Sequence, residues 1–397
     1  MQRVGSCRPT TTVISLPALR FDRNEIAGAF GDIGTDLPLL VGIALAADLD
    51  GTSVLIMFGL MQILTGLRYR IPMPVQPLKA VAAIVIAQKV SAGVLYGGGL
   101  AIGITMLLLS VSGLLDWLAR IVPKSVVRGI QFGLGLQLTM LALKQYVPSD
   151  GVPGYLLALV SFAVALLFLG NRRYPAALFI VGLGMMYAFA FKLPPASLLT
   201  SAGVALPKAH IPQWQDILTG FVLLALPQIP LSLGNSILAT RQIAEDLFQR
   251  RLTVRQIGFT YALMNLINPF LGGVPTCHGS GGMAGHYAFG ARTGGSVIIE
   301  GTLYLVMGLF FGRAFDRIVG VFPLPVLGVI LFFEGLTLMR LIRDITALPK
   351  DLTVAVLVGL LAAGLPYGYL IGMIAGIICD YLLRRGIITL GTREADT

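Results

Sequence analysis

Lys79 stands at the head of an apolar run, "VAAIVIA", directly after the three prolines of "PMPVQPLKA" at residues 72–80. A cation inside a membrane-length apolar stretch is costly and is kept either for a ligand or partner, or where it can snorkel to the interface. Gln76, three positions earlier, would share its helical face, and its amide can donate to an oxyanion or to the loose backbone around it. About two hundred residues later a second interruption reads "GGVPTCHGSGGMAG" at 272–285. It offers Thr276, Cys277, His278 and Ser280, with Gly279 and Gly281 among glycines that allow a close approach of backbone to ligand. His278 could donate to an anion or be satisfied within its loop, and Cys277 could equally be a small packing residue. Together these residue types suit the binding of a small oxyanion.

Such groups need elements to position them. Pro72, Pro74 and Pro77 force extended backbone and then favour a helix start. Non-helical backbone at membrane depth is tolerated only within protein or beside a wet cavity. The short helix that follows each break presents unpaired N–H groups and a positive dipole end, which attract anions. Two such ends facing each other near the bilayer midplane would hold a small anion between them. On this reading Gly279→Val and Ser280→Val impair binding, and Gly285→Ala, a turn deeper, does less.

Composition makes the membrane explicit. The chain has 397 residues, 56% of them hydrophobic and 12% charged, with a mean hydropathy of +0.83. A soluble protein carries about twice that charged fraction. Apolar segments long enough for a hydrocarbon core of roughly 30 Å recur throughout. We count fourteen, at about 26–47, 51–67, 74–88, 93–115, 125–146, 152–170, 175–192, 217–239, 254–271, 278–290, 294–311, 317–339, 351–365 and 366–383. The first 25 residues lack the pattern of a signal peptide. With the N-terminus inside, most of the 29 lysines and arginines fall on the cytoplasmic side. Lys89, Lys144, Lys192, Lys208, Arg313 and Arg317 fall outside, which is the asymmetry the positive-inside rule expects. The net charge of +10 thus belongs to the cytoplasmic face and does not imply nucleic acid.

The spacing also repeats. "GAFGDIGTDLPLL" at 28–40 precedes Pro74 by about as much as "LPQIPLSLGNSIL" at 226–238 precedes Pro275. Each half reads as an interrupted helix, a full helix, then a short helix behind a proline break. Seven spans per half is odd, so the halves enter the membrane from opposite sides. Paired discontinuous helices in such an inverted repeat point to a transporter's binding site.

Acidic residues within the spans are candidates for coupling transport to another ion. They are Asp32 and Asp36 in "GDIGTD", Glu300 and Glu334. Asp32 could cap the helix that resumes after the first break, or approach Lys79 and pair with it in the empty site. Glu300 and Glu334 read equally as interhelical partners. His286 and Arg292 read as structural. The scattered cysteines Cys7, Cys277 and Cys379 give no metal-ligand spacing, so no metal or other cofactor is expected. An enzyme is not expected either: "AFGD" at 29–32 lacks the leading glycine and the second aspartate of an intramembrane aspartyl protease, and there is no HExxH.

The motifs "IPMPVQPLKA", "VPTCHGSGGMAGHYAFGARTGG" and "GAFGDIGTDLPLL" resemble the molybdate transporter family, a branch related to sulfate permeases, over about residues 24–385. The resemblance implies an all-α polytopic protein of fourteen spans in a 7+7 inverted repeat, with half-helices at spans 3 and 10. It implies a core domain (25–115 and 212–311), a gate domain (123–192 and 317–384), and cytoplasmic ends at 1–24 and 385–397. It further implies a secondary transporter of molybdate working by alternating access, with the anion between the two half-helix N-termini. Asn235 then stands where proton-coupled relatives often carry a glutamate, so their coupling does not transfer, and no regulatory domain follows the last span. Sulfate or another oxyanion, tungstate among them, and an anion channel of the same fold are the alternatives. The expected setting is a bacterial cytoplasmic (inner) membrane with both termini cytoplasmic. The sequence leaves room for a homodimer.

Overall fold

The computed structural model describes residues 18–115, 117, 122–168, 176–192 and 203–388. Arg3, Cys7, Arg8, Arg120, Arg172, Arg173 and Arg393 lie outside them, as do most of the 1–24 segment and the 385–397 tail.

The first apolar segment is split, as expected. Helix α1 (Arg23–Ala29) starts at Asp22, whose carboxylate accepts from the backbone N–H of Asn24 and Glu25. Helix α2 (Ile33–Ala47) resumes after a short turn. Next come α3 (Gly51–Tyr69), capped by Asp50, the strand β1 (Val75–Pro77), the ten-residue α4 (Lys79–Gln88) and α5 (Ala92–Ser112). Three more helices follow: α6 (Lys124–Leu141), α7 (Gly151–Leu167) and α8 (Ala176–Phe191).

The second half opens differently. Helix α9 runs unbroken over Trp214–Phe248, 35 residues, so the interruption expected at 226–238 is absent. Widened π turns at Phe221–Ala225 and Ser232–Leu238 flank Pro227 and Pro230. A π turn shifts the bonding register by one residue, which absorbs a missing proline N–H without ending the helix. Thereafter come α10 (Val254–Ile267), with a Thr253/Gln256 capping box, β2 (Thr276–His278) and the nine-residue α11 (Ser280–Ala288). The chain finishes with α12 (Gly295–Val321), α13 (Leu324–Arg340), α14 (Pro349–Gly364) and α15 (Gly368–Arg384).

Among the described residues six helices are long and apolar enough to cross a membrane: α3, α5, α6 with its extension to Tyr146, α9, α12, and α13 extended to Ile345. Their outer faces carry exposed Leu, Ile, Val and Phe, the reverse of a soluble surface.

Helices of the two halves interleave: α3 lies along α12, and α5 along α10. Small residues set these distances. A Cβ on Gly59 would sit 2.5 Å from the Gly301 carbonyl oxygen, and one on Gly301 would sit 2.6 Å from that of Gly59. Gly135 on α6 and Gly335 on α13 make the same reciprocal contact. Backbones approach this closely in membranes because packing, not water exclusion, drives helix association there.

Candidate anion site between two half-helices

The two proline breaks meet. β1 and β2 pair antiparallel with Val75 opposite His278, Gln76 opposite Cys277, and Pro77 opposite Thr276. The Leu78 N–H donates to Pro275 O at 3.1 Å and the Gly279 N–H donates to Pro74 O at 3.1 Å, so each break satisfies the other. What remains of the strand backbone is met by two carboxamides in equivalent places. Gln62 on α3 donates to Val75 O (3.0 Å) and accepts from Val75 N–H (2.8 Å). Asn265 on α10 donates to Thr276 O (2.6 Å) and accepts from Thr276 N–H (3.0 Å). Buried backbone groups must be paired, and these two side chains make the breaks possible at membrane depth.

Both half-helices start at this sheet, but their ends are not equivalent. At α4 the N–H groups of Ala80 and Val81 donate to Gln228 Oε1 on α9, at 3.0 and 3.2 Å. Gln228 is held in turn by Ser232, which bonds Tyr261 OH. The positive end of α4 is therefore already capped by protein. At α11 the Gly279 carbonyl accepts from Met283, and among the described residues the N–H groups of Ser280, Gly281 and Gly282 have no partner. Three open amides at one helix start are a ready anion-binding nest.

Two of these amides, those of Ser280 and Gly281, border a cavity of about 200 Å³. Gln76, Lys79, Cys277, Gly279, Ser280 and Gly281 line one wall. Asn235 and Ser236 contribute from α9, Gln131 from α6, and Glu334 and Thr337 from α13. Among the described residues Lys79 has no carboxylate within 4.0 Å. Gln131 Oε1 accepts from Arg128 Nη1 at 2.8 Å, which leaves the buried Nε2 as a donor without a partner among the described residues. Gln131 and Gln228 join the site only through the fold. Neither is the only carboxamide on its helix, and nothing in the surrounding sequence marks it out.

The strand alternation sorts the predicted residues. Gln76 and Cys277 share the cavity side, whereas Thr276 and His278 point the other way. Thr276 Oγ1 accepts from Asn268 at 3.1 Å, and Thr276 does not line the cavity. His278 borders the cavity, but its ring bonds Thr260 Oγ1 at 2.7 Å and meets Tyr69 edge-on. Gly279 is small for a neighbour rather than a ligand, since a Cβ there would lie 2.2 Å from Gln76 Cδ. Gly281 faces open space. Gly285 is not the tolerant position expected of it: its Cβ would meet Gly31 O at 2.6 Å.

Asp32 neither caps α2 nor pairs with Lys79. Both its oxygens accept from Gln76 Nε2 at 2.7 Å, and it sits against Gly282 and Pro74. Asp36, one turn on, is fully buried with both oxygens lacking partners among the described residues. Glu300 on α12 is buried behind the same face, its Oε2 3.2 Å from His286 Nε2 in a contact without hydrogen-bond alignment. His286 Nδ1 lies 3.0 Å from Ser296 Oγ. Only Glu334 of the four candidate carboxylates lines the cavity.

Comparison with known proteins fits this arrangement. The family described as "Molybdate transporter of MFS superfamily" matches residues 24–138 and 220–338. "Molybdate transporter 2" of Arabidopsis thaliana is 34% identical over 373 residues, covering 82% of this chain and 80% of the relative. "Molybdate transporter 1" of Chlamydomonas reinhardtii is 28% identical over 470 residues, covering 88% and 90%. The fold is similar to the transmembrane domain of the cyanobacterial bicarbonate transporter BicA, with a TM-score of 0.64 at 16% identity over 90% of this chain and 96% of that one. It is also similar to SLC26A9, with a TM-score of 0.69 at 15% identity over 94% and 68%.

Proposed function

Because the chain belongs to the molybdate transporter family, a family of multi-pass membrane transporters and not of enzymes, we propose that its own cargo is molybdate, bound in the cavity between α4 and α11. The observation that carries this is the pair of open amides at Ser280 and Gly281, which share one small cavity with Lys79. A tetrahedral dianion would accept from these amides, the Ser280 hydroxyl, Lys79 Nζ and Gln131 Nε2, with Asn235 bordering it. Charge-assisted bonds of this kind orient an anion as well as hold it.

The architecture proposed around it is the fourteen-span inverted repeat. Reciprocal α3–α12 and α5–α10 packing and the matched Gln62 and Asn265 clamps support that reading. The core domain (25–115, 212–311) would carry the half-helices past the gate domain (123–192, 317–384), exposing the anion to each side in turn. Both termini would be cytoplasmic, in a bacterial inner membrane. Glu334 is the coupling group favoured by geometry, because of the four candidate carboxylates it alone lines the cavity. Asp32 lies behind Gln76, off the cavity lining.

Uptake into proteoliposomes tests this, with molybdate, tungstate and sulfate in competition. Saturable molybdate uptake that a pH gradient drives uphill supports a coupled carrier. Flux that never exceeds the electrochemical gradient would mean a channel, and preferential sulfate uptake would reassign the cargo. In Glu334→Gln, anion exchange should persist while pH-driven accumulation disappears. If accumulation survives there and disappears in Asp32→Asn, the coupling group is Asp32.

A further inference from the structure

A second cavity lies away from the anion site, in a groove of about 510 Å³ between α3, α5 and α10. Its walls are apolar and face outward: Leu64, Val111, Phe259 and Leu263 are 54%, 57%, 48% and 45% exposed. In a membrane protein such a face meets lipid. One end of the groove differs. Arg68, in the last turn of α3, and Arg255, in the first turn of α10, both border it. Among the described residues neither guanidinium has a carboxylate within 4.0 Å, whereas nearby Arg251 bonds Glu245. Two unneutralised guanidiniums at one end of an apolar trough match a phosphodiester headgroup at one end of an acyl chain.

The groove is also wired to the anion site. Thr260 lines it and lies 2.6 Å from Tyr69 OH and 2.7 Å from His278 Nε2. His278 belongs to β2, one residue before Gly279, where α11 begins. We propose that this groove binds an anionic glycerophospholipid, headgroup between Arg68 and Arg255, and that Thr260 and His278 carry its occupancy to the anion site. Neither part depends on the identity of the transported anion.

Native mass spectrometry of the purified protein, offered equal phosphatidylglycerol and phosphatidylcholine, reads the first part. Phosphatidylglycerol adducts should be retained over phosphatidylcholine, and the preference should fall about ten-fold in Arg68→Gln/Arg255→Gln. Leu263→Trp, which fills the trough without changing charge, should lower adduct retention too. Arg251→Gln, outside the groove, should not. Equal retention of both lipids, or a preference unchanged in the double variant, overturns the site. For the second part, wild-type uptake should differ by about five-fold between phosphatidylglycerol-containing and phosphatidylcholine vesicles. The double variant should lose that difference, which separates the site from the effect of surface potential. Thr260→Val should lose it while keeping the adduct. A lipid dependence that survives in Thr260→Val overturns the link to His278.

Discussion

Replacing Lys79 by Met asks more of the cavity than the loss of one charge. The change removes a charge-assisted hydrogen bond to the anion, about 1.5–3 kcal/mol, or roughly ten- to over a hundred-fold in affinity. It also leaves Glu334 as the one remaining carboxylate or cation-bearing side chain on the lining, with the buried His278 turned away. Treated as a sphere, a cavity of about 200 Å³ is roughly 7 Å across. At that distance and an effective dielectric of ~20, a carboxylate repels a dianion by about 5 kcal/mol, which cavity water and side-chain movement then reduce. The second substitution Glu334→Gln should therefore restore affinity to Lys79→Met by ten-fold or more, equivalent to about 1.4 kcal/mol. Equilibrium binding of radiolabelled molybdate to the wild type, both single variants and the double completes the cycle, with thermal unfolding confirming each fold. A double variant that binds no better than Lys79→Met refutes the placement of the anion between these two side chains.

Three further outcomes are expected. In the glycine series, Gly281→Ala should leave thermal stability unchanged because its side faces open space, whereas Gly285→Ala should lower it through contact with the Gly31 carbonyl. Gln62→Leu or Asn265→Leu each orphans a buried N–H and C=O, a loss of about 2–5 kcal/mol visible as a fall in Tm even without ligand. Outside the membrane, burial pushes the Asp50 carboxyl up, but Lys208 and Ser53 outweigh it and hold it below its ordinary range. A depressed native value stabilises above the ordinary carboxylate range and stops doing so as pH falls through it. The Tm difference between wild type and Lys208→Met should thus be present at neutral pH and vanish on acidification.

What the sequence made legible follows from how local each signal is. Pro74, Pro77 and Pro275 act on their own neighbours, so both breaks and the starts of α4 and α11 stand where the prolines indicate. Lys79, Ser280 and Gly281 could be assigned to one site because they head those two helices. Gln228 could not. It caps α4 from 148 residues away, and nothing near it marks the contact. The uncapped state of α11 and the capped state of α4 is a tertiary fact, as are the Gln62 and Asn265 clamps. In a break whose sequence reads as loop, the alternation of β2 turns Thr276 toward Asn268 and the His278 ring toward Thr260, contacts that no neighbouring residue announces. The break expected in α9 is absent because π turns on either side accommodate Pro227 and Pro230, and no local residue pattern marks those turns.

The pairing of β1 with β2 also dictates when the site can exist. During synthesis β1 enters the membrane some two hundred residues before β2, its sheet partner. Until β2 arrives, the Leu78 N–H and the Pro74 carbonyl have no mate, and α3 and α5 lack the helices they pack along. The nascent first half must therefore wait, with a lysine and an open break held by the insertion machinery or by water. Biogenesis is then a late, concerted docking of two halves rather than a growing stack of hairpins. Damage to the second half would be expected to expose the first to membrane quality control, even where every residue of β1 and α4 is intact.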